Sequence, residues 1–385
     1  MSTTPFAPFA GERIAVVGLG RAGLPAALRL RDWGADVAAW DDGAAAREAA
    51  ARARLALEDP SAGPFRRDAL LLSPGIPHRL PRPHPAAEAA RAAGAPILDA
   101  AEYLYRAVRA AGSAARFLGI TGTNGKSTTT ALTHHLLAGA GIASEVGGNL
   151  GPAALSLKML GDAGVYTLEM SSYSLERIAA MRFNLAVMLN LSPDHLDRHG
   201  DMPGYAAAKA RIFARQTPED LAVLGQDDAW CRGLRAELAV RVVPISALTP
   251  QPGGVWAEGT VLRDDTGPIL DLREAPALPG RHNAQNAAAA AVCALALGVP
   301  RAAVAEGLRG YPGLPHRQER VAEIGGVLFV NDSKATNADS AARALESYDR
   351  VVWIAGGVAK EGGIAPLAAL FPRSARAVLI GESAP

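Results

Sequence analysis

Residues 119–130 read Gly119-Ile120-Thr121-Gly122-Thr123-Asn124-Gly125-Lys126-Ser127-Thr128-Thr129-Thr130, a composition suited to gripping phosphate. Glycines let backbone N–H groups close around phosphate oxygens, and a helix that starts at the loop aims its positive end at them. In such a loop Lys126 reaches the β- and γ-phosphates and the Ser127 hydroxyl meets Mg²⁺. The apolar run 117–120 enters as a strand, and the helix-compatible stretch 128–137 leaves. Ile120 stands where the textual P-loop pattern puts its first glycine. The chemistry implied is that of a nucleoside triphosphate.

Other polar clusters also follow apolar runs, at the strand ends where open α/β sheets collect ligands. Glu169 closes the strand 164–169 as a candidate Mg²⁺ ligand, with Ser171-Ser172 just beyond it. The run 185–191 leads into Asp194-His195-Leu196-Asp197-Arg198-His199, where His195 is the candidate metal or substrate contact. Asn283 and Asn286 open an alanine-rich helix at i,i+3 and share a face, so their amides could read a base edge. Asn331-Asp332-Ser333-Lys334-Ala335-Thr336-Asn337 ends another strand, and Gly356-Gly357-Val358-Ala359-Lys360 ends the next. Near the N-terminus, Gly18-Leu19-Gly20-Arg21-Ala22-Gly23 follows a strand and opens a helix, with Asp41 ending the strand after it. On its residues alone this cluster fits a dinucleotide fingerprint, a different nucleotide, or a turn that needs its glycines for packing.

Composition narrows the partners. A net charge of +1 provides no bulk field for nucleic acid or an anionic membrane. Cys231 and Cys293 are the only cysteines, which fits a reducing compartment rather than a disulfide framework. No charged-then-apolar leader and no membrane-length apolar run is visible, so a cytoplasmic protein is expected, and a monomer is the expected state. Of 39 basic residues only Lys126, Lys158, Lys209, Lys334 and Lys360 are lysines. Where arginine otherwise supplies charge, a retained lysine points to a need for a compact ammonium or an amine that can be neutral or modified.

The elements that must position these groups alternate as strand and helix, giving an α/β class with mostly parallel sheets. The expected strands are 13–17, 36–40, 69–72, 96–98, 117–120, 164–169, 185–191, 327–331, 350–355 and 377–380. Helices are expected over 24–33, 86–93, 128–137, 174–181, 285–297, 339–348 and 364–371, with another around Lys209 and a small β excursion in 240–278. Three domains follow: 1–112, 113–315 and 316–385, the last reading as partial.

Taken in order, these motifs resemble those of the Mur ligase family. The matching residues are Gly122 to Ser127, Glu169 with Ser171-Ser172, Asp194 to His199, Lys209, His282-Asn283 with Asn286, Pro315-His316-Arg317, and Asn331 to Asn337. The resemblance implies an N-terminal Rossmann-like domain, a central P-loop ATPase-like domain and a C-terminal Rossmann-like domain. It implies an ATP-dependent ligase of peptidoglycan synthesis that works through an acyl phosphate. The Asn331–Asn337 stretch looks most like the member that adds D-glutamate to UDP-N-acetylmuramoyl-L-alanine.

By that resemblance Gly122, Thr123, Asn124, Gly125, Lys126, Ser127 and Thr128 hold ATP phosphates, while Asn283 and Asn286 face adenine. Arg317 and Asp332 would close over the nucleotide. Ser127, Glu169, His195 and a carbamylated Lys209 would hold two Mg²⁺ ions. Gly18, Leu19, Gly20, Arg21, Asp41, Ser73 and Gly75 would hold the uridine diphosphate. Asn149, Ser172 and His195 would meet the substrate or its magnesium, and Lys334, Thr336 and Lys360 phosphate and D-glutamate. Lys126, His195, Lys209 and Lys334 are the implied catalytic set. The alternatives are another Mur-type or folylpolyglutamate synthase-like amide ligase, a nicotinamide-dependent oxidoreductase built on the Gly18 cluster, and a non-catalytic nucleotide binder.

Overall fold

The computed structural model describes residues 6–358 and 363–382. The chain divides into two compact units, Met1–Val243 and Pro244–Pro385.

The first unit carries two sheets. The N-terminal one is built from β1 (Arg13–Val17), β2 (Asp36–Trp40), β3 (Ala56–Leu57), β4 (Ala69–Leu72) and β5 (Ile97–Leu98), in the order β3-β2-β1-β4-β5. All its pairings are parallel. The order reverses between β1 and β4, so the turns after Val17 and Leu72 flank the switch point where such sheets bind ligands. The second sheet contains β6 (Arg116–Thr121), β7 (Ser144–Gly148), β8 (Val165–Glu169), β9 (Leu185–Met188) and β10 (Leu221–Gly225), running β10-β9-β6-β8-β7. Strands β8, β9 and β10 are buried along their whole length, as near-continuous apolar parallel strands must be.

The helix Ala100–Ala110 ties the two sheets together, capped by the Asp99 carboxylate on Ala101 N–H. Tyr103 packs edge-on to Phe9 at 5.4 Å, and Tyr105 meets Phe117 at 5.2 Å. Phe117 in turn stacks on Tyr166 at 4.8 Å. Buried side chains of both sheets therefore share one core.

The expected helix over 174–181 is shorter than the sequence suggests: Ser172–Leu175 is helical and the rest is not. The Glu102 carboxylate, 1% exposed, explains the difference. It accepts the N–H groups of Ala179 (2.9 Å), Ala180 (2.8 Å) and Met181 (2.9 Å), which a helix would have spent on its own carbonyls.

In the second unit, the Ile245-Ser246 end of β11 (Arg241–Ser246) pairs with β12 (Val255–Glu258) in parallel. Strands β13 (Val261–Asp264) and β14 (Gly267–Asp271) continue antiparallel, confirming the β excursion. The helix Arg281–Ala296 is buried without a break from Asn283 to Ala294, which explains its alanines: only small side chains allow such close approach on every face. Two small sheets follow: β15 (Glu319–Ile324) with β16 (Val327–Asn331), and β17 (Val351–Gly356) with β18 (Ser374–Ile380). The expected α-helix at 364–371 is a 3₁₀ run over Ala365–Arg373, where Pro366 and Pro372 each remove a backbone donor.

Candidate active site

The phosphate loop leaves β6 at the centre of the second sheet. Ile120 pairs with Glu169 of β8, and Thr121 with Met188 of β9, so all three strands end at one level. Gly122 has φ +150° and Gly125 φ +85°, backbone that a side chain would strain. The helix Lys126–Gly139 then begins, and Ser127 in its first turn is buried. Neighbouring strand ends brace the loop. Thr123 N–H donates to Asn190 O at 2.8 Å and Asn124 N–H to Asn190 Oδ1 at 2.9 Å. The Thr123 hydroxyl accepts from Ser192 N–H at 3.0 Å. Lys126 curls over the loop, its Nζ donating to the carbonyls of Gly122 (2.9 Å) and Thr123 (2.7 Å).

Lys209 lies beneath this turn. It is 1% exposed, and its Nζ donates to the same Gly122 carbonyl at 2.8 Å, 4.8 Å from the Tyr205 ring centre. Burial drives its pKa well below the usual lysine value, and the Lys126 charge adds to the shift against Asp194 and Glu169. The buried amine thus favours its neutral, nucleophilic form. Its helix, Met202–Ala210, carries no other charged side chain, and Tyr205, Ala206 and Ala208 are buried along with Lys209.

Glu169 is 2% exposed. Its Oε1 accepts from Asn149 Nδ2 at 2.8 Å, while its Oε2 is buried with no hydrogen-bond partner. An unpaired, buried carboxylate oxygen is costly unless something cationic meets it, and a hard oxygen donor of this kind suits Mg²⁺. Among the described residues no three His, Cys, Asp or Glu converge on a metal position. Any ion here therefore needs donors of other kinds as well, such as the Ser127 hydroxyl and phosphate oxygens.

His195 sits in the left-handed region at φ 54°, with its ring 5.1 Å from Tyr173 and its Nε2 3.4 Å from Asp194. Burial lowers its imidazole pKa; Asp194 opposes the shift, and Lys209 and Lys126 reinforce it. Ser172 is buried and shares a 2.9 Å hydrogen bond with His199 Nε2.

At the N-terminal switch point a cavity of about 460 Å³ is lined by Gly18, Gly20, Arg21, Asp41, Ser73 and Ile76 among others. Gly18 has no room for a side chain, because a Cβ would lie 2.7 Å from Ser73 and Ile76. Asp41 is committed to backbone: Oδ2 accepts Leu19 N–H of the glycine turn at 2.6 Å and Oδ1 accepts Gly43 N–H at 2.8 Å. The Ser73 hydroxyl donates to Gly18 O at 2.7 Å, joining the two turns.

A model of the Mur ligase middle domain matches residues 120–294. The UDP-N-acetylmuramoylalanine–D-glutamate ligase of Paramagnetospirillum magneticum is 50% identical over 377 residues, covering 97% of this chain and 82% of that protein. The chain belongs to the Mur ligase family. The like-named ligase of Caulobacter vibrioides is 50% identical over 391 residues, 99% of this chain and 83% of its own. Among solved structures, the UDP-N-acetylmuramate-alanine ligase of Thermotoga maritima shares the fold at TM-score 0.61 and 20% identity, over 96% of this chain and 85% of that one.

The second unit of this Mur ligase gathers most of the remaining candidates. Asn286 Nδ2 donates to Asn283 Oδ1 at 2.9 Å, and Asn283 Nδ2 to Pro279 O at 2.7 Å, so the two buried amides orient one another. Asp332 Oδ1 accepts Gln318 N–H at 3.0 Å, and Lys334 N–H donates to His316 O at 3.0 Å. These bonds hold the segment carrying Arg317 against the one carrying Asp332 and Lys334. Arg317, Lys334 and Thr336 are exposed. Lys360 lies outside the described residues. Sequence reasoning gave no role to Asn190, Tyr205, Glu102 or Arg177; only the i,i+4 spacing of Tyr205 and Lys209 offered a signal.

Proposed function

We propose that this Mur ligase joins D-glutamate to UDP-N-acetylmuramoyl-L-alanine with ATP, as the names of its half-identical relatives indicate. The observation that carries the chemistry is the cluster at the end of β6: the Lys126 loop, the buried Lys209 amine on the Gly122 carbonyl, and the unpaired Glu169 oxygen.

A carboxylate is a poor acyl donor. The alanyl carboxylate oxygen attacks the γ-phosphorus of ATP, the bond to the bridging oxygen breaks, and ADP leaves. The D-glutamate amine then attacks the acyl carbon, and phosphate departs with the oxygen that bridged it. Lys126 and the loop N–H groups hold the phosphates and offset their growing charge. Glu169, Ser127 and His195 are the residues that would hold magnesium, whose positive charge supplies further neutralisation when bound. A neutral Lys209 amine can add CO₂ and release a proton, giving a carbamate that places a further anionic oxygen donor next to them. Two ions fit that donor set.

The Gly18–Arg21 turn, Asp41, Ser73 and Gly75 take the uridine diphosphate in this reading, with Asp41 acting through the backbone it braces. Asn149 acts through Glu169, and Ser172 meets the sugar-peptide. Asn283 and Asn286 take adenine, Arg317 and Asp332 the nucleotide, and Lys334, Thr336 and Lys360 phosphate and D-glutamate. The domains are 1–112, 113–315 and 316–385, in a cytoplasmic monomer. Among the described residues no helix is long and apolar enough to cross a membrane.

Mass analysis of the product tests the reading. UDP-N-acetylmuramoyl-L-alanine, ATP and D-glutamate should give the D-glutamyl product, with L-glutamate and diamino acids inert. Equal use of L-glutamate, or ATP bound without product, would overturn it.

A further inference from the structure

Arg177 is among the largest fully buried side chains, 1% exposed, and no step above uses it. It follows the short helix Ser172–Leu175, eight residues past Glu169. Its guanidinium crosses to the other sheet. Nη1 donates to Leu72 O at 2.7 Å and Ser73 O at 3.0 Å, and Nη2 to Ile76 O at 2.8 Å. These carbonyls belong to Leu72-Ser73-Pro74-Gly75-Ile76-Pro77, whose Ser73, Pro74 and Ile76 wall the N-terminal cavity. Two prolines leave this loop short of its own donors, so Arg177 supplies what the loop cannot. The Arg177 main chain is anchored too, its carbonyl accepting Asp99 N–H at 3.0 Å.

The arrangement is unusual for a packing role. A buried cation whose hydrogen bonds go to carbonyls forfeits solvation, and burial holds its pKa down at about 10 although the Asp99 and Glu176 charges oppose the shift. A lysine could not reach three carbonyls with one planar fork. The short helix just before Arg177 carries Ser172, which shares a 2.9 Å hydrogen bond with His199. Arg198, from the His195 loop, reaches the same wall at Gly75 O (3.2 Å) while stacked on the Tyr173 ring at 4.2 Å.

We propose that Arg177 is a positioning residue that locks the wall of the diphosphate cavity to the strand end bearing Glu169 and Ser172, so that a UDP-sugar seated in the first presents its carboxylate to the second. This rests on the functional reading above for the identity of the substrate.

The test is Arg177→Lys and Arg177→Met in the full chain, each checked by thermal unfolding. Binding of UDP alone is measured by calorimetry, together with KM for the UDP-sugar, KM for ATP, and kcat. Loss of charge-assisted bonds from one side of the wall should weaken UDP binding and raise the UDP-sugar KM by roughly tenfold or more. The ATP KM should stay within about twofold, and lysine should recover part of the loss. UDP affinity and UDP-sugar KM unchanged in folded variants would overturn the proposal. So would equal rises in both KM values that follow a lowered melting temperature, the mark of a purely structural role. If the parent chain binds UDP but makes no product, the functional reading fails while the UDP arm still decides on Arg177.

Discussion

The surroundings of Lys126 and of Lys334 differ in how much of their geometry is fixed beforehand. Around Lys126 the flanking strands β8 and β9 are wholly buried, and Asn190, Ser192 and Lys209 hold the loop from beneath. Around Lys334 the cationic and hydroxyl groups face solvent, and the nearby strands leave Val321 61%, Ile324 64% and Val327 57% exposed. A group already fixed by buried neighbours loses little entropy when it acts on a transition state, whereas an exposed long side chain must be ordered first. In the proposed reading the first region serves rate and the second serves binding that forms when ligand arrives.

The largest break of this contrast comes from Lys126→Met. Phosphate release should fall by at least about 10³-fold, since a charge aimed at the transferring phosphoryl group is lost. The melting temperature should move little, because the Lys126 bonds to the Gly122 and Thr123 carbonyls close within its own loop. Lys209→Arg comes next: a basic side chain of similar length remains, but it stays cationic and cannot form a carbamate. A fall of about 10²-fold in kcat is expected, with no rescue by bicarbonate. Lys334→Met should be milder, about tenfold and mostly in KM, read from initial rates against D-glutamate and ATP. A kcat loss as large as that of Lys126 would erase the distinction.

The smallest effect concerns stability. Burial, with the Arg343 charge, lowers the His282 pKa from 6.5 to about 4. Between these values the unfolded chain binds a proton that the native one refuses. Stability is therefore full above about pH 6.5 and declines as pH falls toward 4, by roughly 3 kcal/mol at most. His282→Asn should flatten that slope in denaturant titrations from pH 7 to 4.5. A slope unchanged by the substitution would assign it elsewhere.

The strand-loop-helix around Lys126, the burial-prone apolar strands and the Gly18 turn were legible because local pattern and global fold agree there. The scarcity of lysine marked Lys209 before any contact was known. What stayed hidden depends on pairs distant in sequence. Nothing near 174–181 announces that Glu102 will take three of its N–H groups, and nothing near Arg177 points to carbonyls about a hundred residues earlier. The position of Asp41 at a strand end is legible, but not that its carboxylate braces Leu19 and Gly43.

The central claim is that the phosphate loop activates the substrate carboxylate. UDP-N-acetylmuramoyl-L-alanine labelled with ¹⁸O in its alanyl carboxylate tests it directly, with turnover in unlabelled water and mass analysis of the phosphate released. One ¹⁸O atom should pass into each phosphate, because the oxygen that attacked phosphorus leaves with it. Phosphate free of label, alongside normal formation of the D-glutamyl product, would contradict the account.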